Sequence, residues 1–368
     1  MKIHTIETFT NEFICFVRVT SDEGSQGWGQ VAPYFADITA QIIHRQVAPH
    51  VLGLDCFDID AIGKTVCHRE HKFPGSYLRR AIGGVDTALW DMRGKLESKP
   101  VCALIGGTPG PIRAYASSMK RDITAEQEVE RFKSLRDTKG FDAFKFRIGS
   151  EVGENQDEWP GRTEEIVPAI RQSFDESVAL LVDANSCYSP SRAIEIGHML
   201  EDNGISHYEE PCPYWHFEQT KQVTEALDID VTGGEQDCMM ANWKQMIDEK
   251  VVDILQPDIC YLGGLSRTLR VAKMAENAGI PVTPHSANLS MVTVFTMHLL
   301  RAIPNAGKYL EYSIEGEDYY PWQEGLFAND PHEIIDGKAT VTDAPGWGIE
   351  ISPEWLSKSS YRISTNTE

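Results

Sequence analysis

Eight short runs rich in β-formers alternate with helical stretches after residue 111, and no other feature restricts the fold as strongly. The runs are Ile112–Ser117, Phe141–Ile148, Ala179–Asn185, Ile205–Pro211, Asp230–Glu235, Val252–Asp258, Pro281–His285 and Tyr309–Ser313. Helical patterns such as Glu164–Ser173, Ser191–Asn203 and Leu265–Gly279 separate them. Strands linked by helices pair in parallel, and eight such units point to a closed α/β barrel. A doubly wound open sheet is the alternative. Its nucleotide-binding versions lack support, because no G-x-G-x-x-G follows an early strand and no G-x-x-x-x-G-K-[ST] occurs.

The first 110 residues have a different character. Ile3–Val19 and the stretch around Gly27–Gln30 alternate like strands, and the turn Ser21–Ser25 between them suggests a meander. Tyr77–Leu96 carries apolar residues at helical spacing, and the breaker-rich run 106–111 marks a boundary. The polar tail Ser359–Glu368 is expected to fray. The length, 368 residues, suits a barrel with an appendage.

The polar residues at the strand ends carry the chemistry. Asp183, Glu209, Glu235, Asp258, His285 and Glu311 follow one another at intervals of 26, 26, 23, 27 and 26 residues. Successive barrel strands converge on one mouth, so residues in phase with the repeat gather there. One acid after a strand is ordinarily a helix cap; five acids and a histidine in phase are hard to read that way. Asp183, Glu209 and Glu235 would repel one another without a cation, and hard oxygen donors favour Mg²⁺, with Mn²⁺ next. Glu210, next along the strand, faces the other side and reads as structural.

In Phe141–Ile148, period two puts Phe144 and Phe146 toward the helices and Lys145 and Arg147 inside the mouth. Asp258 and His285 end adjacent strands, and a carboxylate on an imidazole builds a general base. His207 faces the lumen below the ligand layer, while His198 and His298 fall in helical runs.

The charge of −21, from 34 Lys and Arg against 55 Asp and Glu, argues against nucleic acid or an anionic membrane as partner. It also repels anionic small molecules, except where cations gather locally. A divalent ion with Lys145 and Arg147 outweighs the three ligand carboxylates by one formal charge, which suits a carboxylate substrate. No long apolar run predicts a membrane span, and the opening MKIHTIETFTNEF lacks the apolar core of a signal peptide. Eight scattered cysteines without a C-x-x-C suggest reduced thiols and a cytoplasmic protein.

Taken together, Lys145-Phe146-Arg147, Asp183 in DAN, Glu209 in EEP, Glu235 in GGE, Asp258 in QPD, His285 in PHSAN, Glu311 in LEY and the closing PGWGIEI resemble the enolase superfamily, in its mandelate racemase-like subgroup. The resemblance covers nearly the whole chain. It implies an α+β capping domain (1–110), a modified TIM barrel of (β/α)7β form (111–320) and a C-terminal segment returning to the cap (321–368). It further implies Mg²⁺ on Asp183, Glu209 and Glu235, α-proton abstraction by His285 with Asp258, and charge stabilisation by Lys145. Glu311 would hydrogen-bond the substrate carboxylate. Asn185 and, from the cap loop 21–34, Tyr34 are candidate substrate contacts. Relatives of this architecture are commonly dimers or octamers, so a homo-oligomer is expected.

One position departs from the family pattern. The usual K-x-K at the second strand is here Lys145-x-Arg147, and arginine is a poor base. A single-base route then predicts an acid-sugar (aldonate or aldarate) dehydratase giving a 2-keto-3-deoxy acid. A racemase, epimerase or lactone cycloisomerase sharing the same first step is the runner-up. A non-catalytic acid-sugar-binding barrel is the reading from another class.

Overall fold

A computed structural model describes residues 1–366. The chain opens with an antiparallel meander: β1 (Ile3–Thr10), β2 (Cys15–Ser21) and β3 (Gln26–Gln30). The alternating segment Ile3–Val19 is thus two strands rather than one. Asn11 makes the break, since its Oδ1 accepts from the N–H groups of Phe13 and Ile14 and substitutes for a ladder bond.

The long helix Ser76–Glu97 lies across this sheet. Gly29 allows the approach: a Cβ there would stand 2.4 Å from the Gly84 carbonyl oxygen. Buried Asp91 of the same helix accepts from Trp28 N at 2.8 Å, Trp347 N at 2.9 Å and Lys95 Nζ at 2.6 Å. One carboxylate therefore joins the first sheet, the helix and the C-terminal segment.

The barrel staves are β4 (Gly110–Ser117), β5 (Ala143–Arg147), β6 (Ala179–Asp183), β7 (His207–Glu209), β8 (Asp230–Gly233), β9 (Ile254–Leu255) and β10 (Leu310–Ser313). All neighbours in this ring are parallel, and β10 returns to β4. The seventh stave reduces to Val282, which bridges Leu255 on one side and Ala306 on the other. Pro281 and Pro284 flank it and have no N–H to give, so the ladder cannot extend. The chain then runs from Ala306 into β10, which makes eight staves and seven interposed helical segments, the predicted (β/α)7β form.

The tail does not fray. β11 (Lys338–Val341) pairs with β4, and β12 (Ser360–Thr365) pairs antiparallel with β1, giving the order β12-β1-β2-β3. This corrects the expectation for Ser359–Glu368, of which 367 and 368 lie outside the described residues. Tyr361 and Ile363 are β-formers at period two, and the edge of β1 provides the ladder that a polar-looking tail can complete. Tyr361 donates to Glu7 Oε1 at 2.8 Å and packs on Phe9.

All eight cysteines are unpaired, and no helix among the described residues is long and apolar enough to cross a membrane.

Candidate active site

β5 alternates as its sequence demands. Phe144 stacks on Phe132 of the helix Ala125–Lys139 and packs on Phe174, while Lys145 and Arg147 point into the mouth, essentially without solvent exposure. Lys145 Nζ lies 2.7 Å from Glu209 Oε2, 2.6 Å from Glu311 Oε1 and 4.0 Å from Asp183 Oδ2. Burial alone would lower its pKa, but Glu209 and Glu311 win and hold it above the ordinary lysine value. Lys145 is a fixed cation.

Arg147 is clamped at several points. It ion-pairs with Asp183, donates from Nη1 to Asn185 Oδ1 at 3.0 Å and from Nε to Ser118 O at 3.0 Å. Asn185 sits at φ 40° and turns back so that its N donates to Asp183 Oδ1 at 2.7 Å and its Nδ2 to Asp183 Oδ2 at 3.1 Å. Its Oδ1 also accepts from Arg121 Nη2 at 2.6 Å. Arg121 escaped the sequence reading, although it follows the first stave just as the other site residues follow theirs. Burial, with repulsion from Arg147 behind it, lowers its pKa to about 10.

On the opposite side, His285 Nδ1 and Asp258 Oδ2 are 2.9 Å apart, while His285 Nε2 lies 3.5 Å from Glu235 Oε2. The other Asp258 oxygen accepts from Tyr261 N at 2.8 Å, closing the turn that starts the short helix Ile259–Leu262. Burial opposes protonation of His285, yet Glu235, Asp258 and Glu311 raise its pKa to about 10. A divalent cation held by Glu235 together with Asp183 and Glu209 would offset the first of these three and weaken the hold on that proton, leaving Asp258 to orient the ring.

Glu311 accepts from three donors: Oε1 takes Lys145 Nζ and Ser117 Oγ at 3.0 Å, and Oε2 takes Ser286 N at 2.7 Å. It fixes Lys145 and the His285 loop. Glu210 turns away from the mouth at φ 44°, where Gln236 Nε2 reaches both it (3.0 Å) and Glu235 (3.2 Å). Tyr34 is about 40% exposed in the cap loop, edge-on to Trp322 at 5.6 Å. Lys145, Arg147, Asp183, Asn185, Glu209, Glu235, Asp258, His285 and Glu311 meet in one constellation, with Tyr34 outside it.

Among the described residues no three His, Cys, Asp or Glu side chains form a ready-made metal cluster. Asp183, Glu209 and Glu235 are each neutralised from within, by Arg147, Lys145 and His285 respectively. The donor set nonetheless fits a hard divalent cation. Asp183 and Glu209 are register partners on adjacent staves, Glu235 follows the next stave, and Glu209 Oε1 is buried without a partner.

Comparison with known proteins agrees with this geometry. Residues 2–106 match the mandelate racemase/muconate lactonizing enzyme N-terminal domain, and residues 127–355 match the enolase C-terminal domain-like family. Among curated relatives, the arabinonate dehydratase of Saccharolobus solfataricus is 28% identical over 92% of this chain and 88% of its own. The D-galactarolactone cycloisomerase of Agrobacterium fabrum is 29% identical over 93% and 90%. Among solved structures, a provisionally named racemase from Roseobacter denitrificans is 68% identical, with a TM-score of 0.98 over 99% of this chain and all of that one. A mandelate racemase/muconate lactonizing protein from Paracoccus denitrificans, complexed with magnesium, is 27% identical, with a TM-score of 0.89 over 100% and 99%. The matches over both halves of the chain, with the constellation at the mouth of the barrel, place this protein in the enolase superfamily, in its mandelate racemase-like subgroup.

Proposed function

We propose that the protein is a carbon–oxygen lyase that dehydrates an acid sugar. The observation that carries this reading is the asymmetry of the mouth, with one base on one side and two pinned cations on the other. His285, oriented by Asp258, takes the proton α to the substrate carboxylate on Nε2. Lys145, held cationic by Glu209 and Glu311, stabilises the negative charge that develops on the carboxylate oxygens. The imidazolium then returns its proton to the departing β-hydroxyl. The C3–O bond breaks, water leaves, and the enol tautomerises to a 2-keto-3-deoxy acid. Mg²⁺ held by Asp183, Glu209 and Glu235 would supply Lewis-acid charge at the substrate carboxylate.

Racemisation needs a second base on the opposite face. Arg147 occupies that position, and its ties to Asp183, Asn185 and Ser118 leave a guanidinium that accepts no proton. The asymmetry therefore weighs against the activity in the provisional name of the Roseobacter protein, whereas the named arabinonate dehydratase supports elimination. The runner-up is lactone cycloisomerisation, which one relative's name carries and which also begins at a single α-proton. The eight free thiols suit a cytoplasmic enzyme.

The test is a stereochemically complete acid-sugar library with Mg²⁺. Formation of a 2-keto acid is expected. An isomer of unchanged mass would instead establish the cycloisomerase or epimerase reading.

A further inference from the structure

Arg80 is one of several arginines in this acidic molecule that no carboxylate answers, and aromatic neighbours and an adjoining cavity set it apart. Among the described residues no carboxylate lies within salt-bridge distance, and its Nε is buried without a hydrogen-bond partner. The guanidinium is flanked by rings instead, its Cζ 4.7 Å from the Tyr261 centroid and 5.5 Å from that of Tyr77. It lines a cavity of about 310 Å³ between cap and barrel, with Pro33, Tyr34, Phe35, Tyr77 and Tyr261. By contrast Arg147 is paired with Asp183, and Arg131 with Glu128 and Glu315.

This cavity adjoins the chemistry. The Tyr261 ring is 5.9 Å from the His285 ring, so a single tyrosine separates Arg80 from the proposed base. Asp258 serves both, because it holds His285 with one oxygen and fixes the Tyr261 backbone with the other. On the cap side, Tyr34 and Phe35 both adopt positive φ (63° and 51°), an unfavourable pair of conformations that presents both residues to the cavity.

We infer that this cavity receives the far end of the substrate and that Arg80 pairs with a second carboxylate there, which makes the substrate an aldarate rather than an aldonate. A guanidinium with rings rather than carboxylates beside it keeps its terminal Nη groups for two-pronged pairing, the geometry a carboxylate matches. An uncompensated, partly desolvated cation is costly, and an anionic ligand removes that cost on binding. A single fork without a second cation in the lining suits a carboxylate better than a phosphate dianion. The inference rests on the proposed acid-sugar chemistry for the other end of the molecule.

The test reads binding rather than turnover. His285→Asn protein with Mg²⁺ is titrated calorimetrically with hexarates, with the matching hexonates that end in CH₂OH, and with 6-phosphohexonates. The best hexarate is expected to bind roughly 10- to 100-fold more tightly than its hexonate. Adding Arg80→Gln should collapse that ratio to within about twofold, and Arg80→Lys should restore part of it. A purely structural cation between rings would lower thermal stability in these variants and leave the ratio alone. A ratio near one with Arg80 present, a ratio indifferent to Arg80→Gln, or tighter binding of the phosphate each overturns the inference. Wild-type turnover is assayed separately. Dehydration of hexonates with a ratio near one sinks only the aldarate inference, and a high ratio without any 2-keto acid sinks only the dehydratase reading.

Discussion

At the scale of single residues, the site divides into one proton acceptor and several fixed charges. His285→Asn should lower kcat by roughly 10²–10⁴-fold, the usual contribution of a positioned acid or base, while the thermal transition and hexarate binding persist. Near-normal turnover would remove His285 from the mechanism. Arg147→Lys replaces the fork on Asn185 and Ser118 with a titratable amine on the face opposite His285. Deuterium from solvent should then enter recovered substrate with inversion at the α-carbon, detected by NMR and chiral analysis. Identical products and rates would show that Arg147 does not set the reaction type. The strand-end phase made the acids and His285 legible in the sequence, since each repeat of the barrel returns the chain to the mouth. Arg80, Arg121 and Tyr261 were not legible. Arg80 lies on a cap helix outside the repeat, and only the folded cavity brings it beside Tyr261.

At the scale of elements, the barrel staves followed from pattern because inward and outward residues alternate without exception along β5. Two elements escaped that logic. The seventh stave has prolines where ladder donors belong, so its identity depends on its neighbours. β12 is exposed along most of its length, and its apolar residues are limited to Tyr361 and Ile363; its order comes from pairing with β1. The joint between elements is Asp91, which gathers donors from β3, from its own helix and from Trp347. Asp91→Ala strands the buried N–H of Trp347 and the half-buried N–H of Trp28, a loss of about 1–3 kcal/mol for the first and less for the second. A fall of about 3 kcal/mol in urea-unfolding stability is expected. A change below about 0.5 kcal/mol would mean the joint is redundant.

At the scale of the whole molecule, stability should depend on pH through histidines that fold neutral. Burial lowers the pKa of His44, His298 and His332 to about 4. Above pH ~6.5 both folded and unfolded forms are neutral and the full stability is present. As pH falls below that value the unfolded chain binds protons that the folded state refuses, and stability drops until about pH 4. Asp86, raised by burial to about 7, contributes with the opposite sign, so a difference measurement is needed. His298 accepts from Cys102 N and packs edge-on to Trp347. His298→Gln should be less stable than wild type at pH 7.5, with the gap shrinking by about 2 kcal/mol at pH 5. A gap that does not change with pH would assign the titration elsewhere.

The pairing of β1 with β12 also sets a clock on folding. Thr5 lies opposite Thr365, so β1 waits for a strand made roughly 360 residues later. At translation speeds of about 5–20 residues per second, the interval between them is roughly 20–70 s. Through that time β1 carries an open edge while the barrel forms beyond it. Such an edge is a template for misassembly with neighbouring nascent chains. Only the pairing of β12 closes that edge and completes the sheet order β12-β1-β2-β3.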